Sequence, residues 1–400
     1  MGEWHGTTVE VEVTNVAHGG ISVARHDGRV IFVSDAIPGE RVLVRISDDS
    51  KKSFWRAETI SVVEASPFRQ PHIWNAAGID RAPEDRAGGA EFGHIQLDHQ
   101  RELKRKVLAD SLKRMAGVEL DTAVAALAGN ADGTGWRTRV RLQVADDGTV
   151  GPYAARSHRV IPVTTLPLAT AAIGALAPLR DKLVGEEQVD LVSPSVGPAL
   201  RLVAGAPRQA ITELVGEREF RLDAQGFWQV HQSAAETLTA AVQRAIDPAL
   251  FDARAANLDL YGGVGLFAAA VGDHFGNNVR ITTVESDSRA TNYAAQNLVE
   301  WQGAHAVTAR VEHFVKGLAA QLSGATVVLD PPRSGAGGAV VAALAARAPA
   351  QIVYVACDPV ALARDIATFT EHGYKLAQLA AYDLFPNTHH FESIATLVRA

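Results

Sequence analysis

One cysteine, Cys357, stands at the end of the apolar run QIVYVAC and immediately before Asp358-Pro359. A packing cysteine would sit more naturally inside such a run. At the carboxyl end of a strand in an open α/β sheet, a cysteine occupies the place where reactive groups are found. Its thiolate would be a nucleophile; Arg364 in VALARD could favour that form, and Asp358 would oppose it. Glu392 opens the final strand-like segment, FESIATLVR, behind FPNTHH. It reads either as a solvated carboxylate at a strand start or as a general base, with His390 the alternative base. A thiol and a base suffice for covalent catalysis on an unsaturated ring. Sulfur adds to an electron-poor carbon, the neighbouring carbon becomes nucleophilic, and the base later removes a proton so that sulfur can leave.

Two further loops could hold a cofactor. NLDLYGGVGLFAAAV, residues 257–271, reads as a strand, a glycine turn and a helix start. Gly262, Gly263 and Gly265 would let a ligand approach the backbone near a helix N-terminus, and Glu285 at the end of the next strand could hold ribose hydroxyls. The G-x-G-x-x-G string that cradles a dinucleotide pyrophosphate is absent. An adenosine ligand without pyrophosphate therefore fits at least as well as a nicotinamide cofactor, and a purely structural turn is the bland alternative. LDPPRSGAGG, residues 329–338, follows an apolar strand, and its two prolines stiffen the backbone behind Asp330. Asp330 could face the same crevice or merely cap a turn.

These residues need a scaffold. From about residue 234, helical and strand patterns alternate (AAETLTAAVQRAI, ANLDLYGG, VGLFAAAVGDHF, VRITTVES, RATNYAAQNLVEWQG, ATVVLDPP), which predicts a parallel α/β sheet. Upstream, VEVEV alternates polar and apolar. Short β-rich runs broken at His18-Gly19-Gly20, Asp27-Gly28 and Pro38-Gly39 predict a small antiparallel barrel ending near Ser66-Pro67. Residues 67–93 read mostly as loop, 98–117 as an amphipathic helix stopped by Gly117, and 135–223 as strand-rich. The expected divisions are 1–65, 66–233 and 234–400.

The chain has 400 residues, is 47% hydrophobic and carries a net charge of -7, so no strongly basic surface advertises nucleic acid. Lys104, Arg105, Lys106, Lys113 and Arg114 nevertheless cluster, as do Lys51, Lys52 and Arg56, either as solvated surface or as phosphate contacts. One cysteine excludes an intramolecular disulfide and a cysteine-built metal site. No apolar run approaches the ~20 residues needed to span a bilayer, and no secretory pattern opens the chain, so a cytoplasmic protein is expected.

The motifs also carry a resemblance. DLYGGVG, LDPPRSG, ACDPVALARD, FPNTHHFES and FWQVHQ at 227–232 are together similar to the bacterial RNA 5-methyluridine methyltransferases with an N-terminal TRAM domain. The likeness spans nearly the whole chain. It implies a Rossmann-like class I methyltransferase domain, an OB-like TRAM barrel and a strand-rich central domain, with S-adenosylmethionine as cofactor and RNA as partner. Uracil suits the Cys357–Glu392 pair, because C5 is a poor nucleophile until a thiolate adds at C6. By resemblance, Cys357 is the nucleophile and Glu392 the base. Gln229 and Asp330 contact uracil and cofactor, Tyr261, Gly263, Gly265 and Glu285 bind cofactor, and Arg364 and His390 support the site. The TRAM-like barrel favours 23S rRNA over tRNA. Neither a membrane nor an obligate protein partner is expected.

There are departures. Many relatives hold a [4Fe-4S] cluster with four cysteines; residues 88–90 and 92–96 resemble that region without them, and ligand count excludes a cluster here. His231 and Asp358 stand where relatives have asparagine, and Gly262 where they have cysteine. Four competing readings are weaker. Amine methyltransferases with an Asp-Pro-Pro loop usually follow it with an aromatic residue, where this chain has Arg333. Cytosine-C5 enzymes typically use a second cysteine. A nicotinamide oxidoreductase lacks its pyrophosphate motif. A non-catalytic RNA-binding protein would not require Cys357 and Glu392 together.

Overall fold

The structure, a computed structural model, describes residues 3–319 and 321–400. Five strands, Thr8–Ala17, Ile21–His26, Arg29–Ser34, Arg41–Asp48 and Phe54–Glu64, close into a barrel. Their alternating side chains fill it with Val11, Val13, Ile31, Val33, Val42, Val44, Ile46 and Trp55. Closure pairs every strand edge within the barrel and leaves its turns free to reach other parts of the chain.

Residues 66–96 are irregular and packed tightly against the barrel. Arg69 donates from Nε (2.6 Å) and Nη2 (2.7 Å) to the fully buried Glu40. Arg86, also buried, donates to Asp35 Oδ2 (2.8 Å) and to the carbonyls of Thr59 (2.9 Å), Ile79 (3.1 Å) and Arg81 (3.0 Å). Ala87 and Ala90 pack with Trp74, Trp136, Ile161 and Leu168 in an apolar cluster. The segment that resembles the iron-sulfur loop of relatives is thus closed by apolar burial and a buried guanidinium network.

The helix Leu97–Ser111 continues as a π-helical turn, Leu112–Ala116, and ends at Gly117. Most of its basic residues are engaged within the chain: Lys104 with Asp383, Arg105 with Glu102 and Asp121, Lys113 with Glu119, Arg114 with Asp110. The central portion contains a four-stranded sheet including Arg139–Val144 and Gln188–Val192, beside a hairpin of Ala210–Val215 and Arg218–Asp223.

The site is carried by an eight-stranded sheet in the spatial order Ala304–Thr308, Ile281–Glu285, Asn257–Leu260, Thr326–Leu329, Gln351–Ala356, Glu392–Arg399, Tyr374–Asp383, Val124–Ala126. The central strands TVVL and QIVYVA are buried at every position, because helices cover both faces. The first five strands in that order are parallel, as expected. Glu392–Arg399 is antiparallel to both neighbours, a reversal that the apolar pattern did not predict. Among the described residues, no helix is long and apolar enough to cross a membrane.

Candidate active site

The parallel strands end along one edge of the sheet, and four of the five endings carry a candidate residue: Tyr261, Glu285, Asp330 and Cys357. Asn257–Leu260 runs into Tyr261, a non-glycine residue in the left-handed region (φ 63°). At Gly262 the backbone passes so close to the next strand that a Cβ would collide with Thr283 Oγ1 and the Asp259 carboxylate. Gly263 has no atom within 4 Å of where a Cβ would stand, so an open cradle lies in front of it. Its N–H donates to Glu285 Oε2 at 3.3 Å, so the loop and the carboxylate of the next strand face the same space. Gly265 closes the turn by donating to the Gly262 carbonyl (2.8 Å) and precedes the helix Leu266–Phe275. An open glycine turn, a helix N-terminus and a carboxylate suit an adenosine-type cofactor: the carboxylate can take ribose hydroxyls, and no phosphate cradle is required.

Thr326–Leu329 ends at Asp330, whose N–H donates to the Leu260 carbonyl at 3.2 Å. Burial, with the Asp259 carboxylate nearby, pushes the Asp330 carboxyl up to about 7. Asp259, itself fully buried, is pushed up to about 6 mainly by desolvation. The loop after Asp330 is held from behind. Asp365 Oδ2 accepts from Tyr354 Oη (2.7 Å), Ala336 N (2.8 Å) and Gly337 N (3.2 Å). Arg364 donates to the Ser334 carbonyl at 2.7 Å and to Asp365.

Gln351–Ala356 ends at Cys357, which is partly exposed. Asp358 then caps the helix Pro359–Glu371, accepting from Val360 N (3.0 Å) and Ala361 N (2.8 Å), with proline at the first helical position. The antiparallel return of the last strand pairs Ala356 with Ser393, and so brings Glu392 opposite Cys357. Burial, followed by the Glu392 and Asp330 carboxylates, pushes the Cys357 thiol up to about 12, with Arg333 opposing. The cation acting on the sulfur is therefore Arg333, while Arg364 braces the 330–337 loop. The resting residue is a thiol. Glu392 is buried and held well above the usual carboxylate range by desolvation and by Asp330. Two carboxyls and a thiol in one confined place cannot all ionise, and each raises the cost of charging the others.

The segment before Glu392 is fixed by Asn387, a buried residue in the left-handed region (φ 64°). Its side chain donates to the carbonyls of Asp132 (3.0 Å) and Gly133 (2.9 Å) and accepts from Gln100 Nε2 (3.0 Å). Its backbone N–H donates to Gln100 Oε1 (2.8 Å), and its carbonyl accepts from Phe92 N (3.0 Å). His390 lies 3.3 Å from Arg333 Nη2, and burial pushes it down to about 3, so its imidazole is neutral. Gln229 is partly exposed between the buried Trp228 and a strand-like stretch bound to Thr138. His231 stacks on Trp136, which meets Phe385 edge-on, and Phe385 meets His390 in the same way. A chain of aromatic rings thus connects the 227–232 segment to the site.

Sequence reasoning missed Arg333, Asp365, Asn387 and Gln100. Asn387 follows proline in a polar run, the only local signal it gave. A pocket of about 160 Å³ beside Cys357 is lined by Arg333, Lys104, His389, Phe391 and the barrel turn at His18–Gly20.

Residues 215–400 match the family model described as tRNA (Uracil-5-)-methyltransferase, and residues 3–55 match the TRAM domain. An uncharacterized RNA methyltransferase of Streptomyces avermitilis is 35% identical over 98% of this chain and 98% of that one. Another of Corynebacterium diphtheriae is 33% identical over 98% and 97%. A 23S rRNA (uracil(1939)-C(5))-methyltransferase of Shewanella sediminis is 27% identical over 97% and 95%. In fold, the chain is similar to the Pyrococcus abyssi tRNA (uracil-54, C5)-methyltransferase solved with S-adenosyl-L-homocysteine (TM-score 0.73, 20% identity, 98% of this chain and 100% of that one). The chain belongs to the TRAM-domain-containing class I S-adenosylmethionine-dependent RNA methyltransferases of the 5-methyluridine type, and it lacks the iron-sulfur cysteines that many of them carry.

Proposed function

We propose that this enzyme methylates C5 of a uridine in tRNA through a transient bond between Cys357 and C6 of the base. The observation that carries the mechanism is the strand register that sets Glu392 opposite Cys357, with Asp330 at the adjoining strand end. S-adenosylmethionine, when bound, supplies an electrophilic methyl group to the activated C5. Tyr261, Gly263, Gly265 and Glu285 are the proposed cofactor residues, and Gln229 and Asp330 adjoin both cofactor and base.

The steps that fall to the protein follow from the charges. Cys357 is a thiol at rest, so its proton must leave as sulfur bonds to C6, and from the partly exposed sulfur it passes to solvent. Glu392 then takes the C5 proton, the C6–sulfur bond breaks with its electrons returning to sulfur, and the thiolate is reprotonated. The net product is one proton per methyl transferred. Asp330, poised near neutrality, can donate a hydrogen bond to the uracil edge while protonated. Neutral His390 and Arg333 line the approach to the sulfur, and Arg364 acts through the loop.

For the RNA class, the TRAM-like barrel alone pointed toward 23S rRNA. The family model's description supports tRNA more directly, and the Shewanella relative keeps rRNA as the second reading. The proposed place of action is the cytoplasm. Nucleotide-resolution mapping of 5-methyluridine in tRNA and rRNA, with and without the gene, tests both. Loss at a tRNA position supports the proposal, and loss confined to 23S rRNA transfers it to the second reading. In vitro, RNA carrying 5-fluorouridine at the target should give a denaturation-resistant adduct, because fluorine cannot leave as a proton. Absence of adduct on the 5-fluorouridine RNA, by enzyme that methylates the unmodified RNA of the same sequence, would overturn the covalent step.

A further inference from the structure

The pocket beside Cys357 has a wall from another part of the chain. The turn between the first two barrel strands, His18-Gly19-Gly20, lines it together with Cys357 and Asp358. His18 Nε2 lies 2.7 Å from Asp358 Oδ2, although the two residues are 340 positions apart. Gly20 approaches so closely that a Cβ there would collide with His389 and lie 2.9 Å from the Phe92 ring; its φ of 69° also disfavours any side chain. The barrel is therefore docked against the nucleophile's loop at a fitted contact.

Asp358 sits directly after the sulfur-bearing residue and caps the following helix. Its Oδ1 makes that cap, but the carboxylate adds a negative charge next to the sulfur. That charge disfavours the thiolate. Oδ2, the oxygen left free by the cap, is the one that His18 meets. The carboxylate that hinders the nucleophile is thus met by an imidazole from the barrel, whose charged form the hydrogen bond to Asp358 favours.

We propose that His18 is a positioning residue for Cys357: the barrel turn forms a wall of the nucleophile's pocket, and the His18–Asp358 ion pair cancels the carboxylate charge beside the sulfur while holding its loop in place. The idea rests on Cys357 being the nucleophile, and it gives the N-terminal barrel a part in setting up catalysis besides any contact with RNA. The other ionisable groups around the pocket are Arg333 and Asp330 from one loop, Lys104 from the helix, and His389, His390 and Glu392 from the last segment. The substitutions below leave all of them in place.

Because Cys357 is the only cysteine in the chain, alkylation of the whole protein by iodoacetamide reports on this sulfur alone. At about pH 7 and moderate salt, where the hydrogen bond to Asp358 favours the charged imidazole, His18→Ala should slow alkylation roughly threefold, the effect of one partly screened charge. Asp358→Asn should speed it. The double variant should match Asp358→Asn, because His18 then has no charge to cancel. With RNA, His18→Ala should lower kcat and leave KM for RNA within about twofold, with Asp358→Asn restoring kcat. Unchanged alkylation in His18→Ala would overturn the proposal. So would equal slowing in the Asp358→Asn background, or a rise in KM alone, which would assign His18 to RNA binding. The alkylation assay needs neither RNA nor turnover. A Cys357→Ala enzyme that still methylates would therefore sink the covalent reading without touching the ion-pair result.

Discussion

Cys357 and Glu392 stand opposite each other just past the last pair of an antiparallel ladder, Ala356 with Ser393. One slip of that register would turn Glu392 to the other face of the sheet, so the pairing, and not proximity in sequence, makes the two residues a unit. Removing each should have a different consequence. Cys357→Ala should abolish both methylation and the 5-fluorouridine adduct. Glu392→Gln should retain adduct formation with ordinary RNA while lowering kcat by about 10²–10⁴. Gel mobility after denaturation separates the two outcomes, and normal turnover by Glu392→Gln would move the base role elsewhere.

Asp330 gives a pH dependence whose sign can be worked out. Its carboxyl rises from an ordinary 3.8 to about 7 on folding, so between those values the folded protein binds the extra proton. Its contribution to stability is full below about 4 and is lost as pH rises through about 7. Asp330→Asn should therefore raise the melting temperature at pH ~8 by a few degrees, on the order of 1 kcal/mol after allowance for solvent screening, and change it little at pH ~4. Equal shifts at the two pH values would count against the burial argument. Activity should fall in this variant even as stability rises.

The Asn387 hub is expected to be costly to break. Gln100→Ala leaves buried partners at Phe92, Ile95 and Asn387 without their hydrogen bonds. A loss of about 2–4 kcal/mol in urea unfolding is expected, since each orphaned group costs roughly 1–3 kcal/mol and water recovers part of it. Methylation should fall further than stability explains, because the same hub sets the path of residues 388–392.

Trp74 belongs to the apolar cluster that closes the 66–96 segment. Trp74→Ala should destabilise the protein by roughly 3–5 kcal/mol, as for other large core aromatics. Because the fold there depends on packing, chelators should leave the melting temperature of the native chain unchanged. A chelator-sensitive melt would contradict this.

Phe227 is 73% exposed, two residues before Gln229 and next to the buried Trp228. An aromatic ring held out from a fixed segment can stack on an unpaired base. Phe227→Ala should weaken RNA binding by about 1–3 kcal/mol without altering thermal stability. Fluorescence anisotropy with labelled RNA measures the first, and a thermal melt the second.

Sequence by itself determined a good deal here. The alternation of VEVEV, the run QIVYVA and the glycine and proline punctuation are local signals, because side-chain burial repeats with the period of the element that carries it. They were enough for the barrel, the α/β sheet and the strand-end positions of Tyr261, Asp330 and Cys357. Only the tertiary structure decided the rest. The reversal of Glu392–Arg399, the Arg333 cation in place of Arg364, the His18–Asp358 pair and the raised acids at Asp330 and Glu392 all depend on residues distant in the chain meeting in one poorly solvated place. No local pattern encodes that meeting, since hydrogen-bond register and desolvation are properties of the assembled neighbourhood and not of any segment within it.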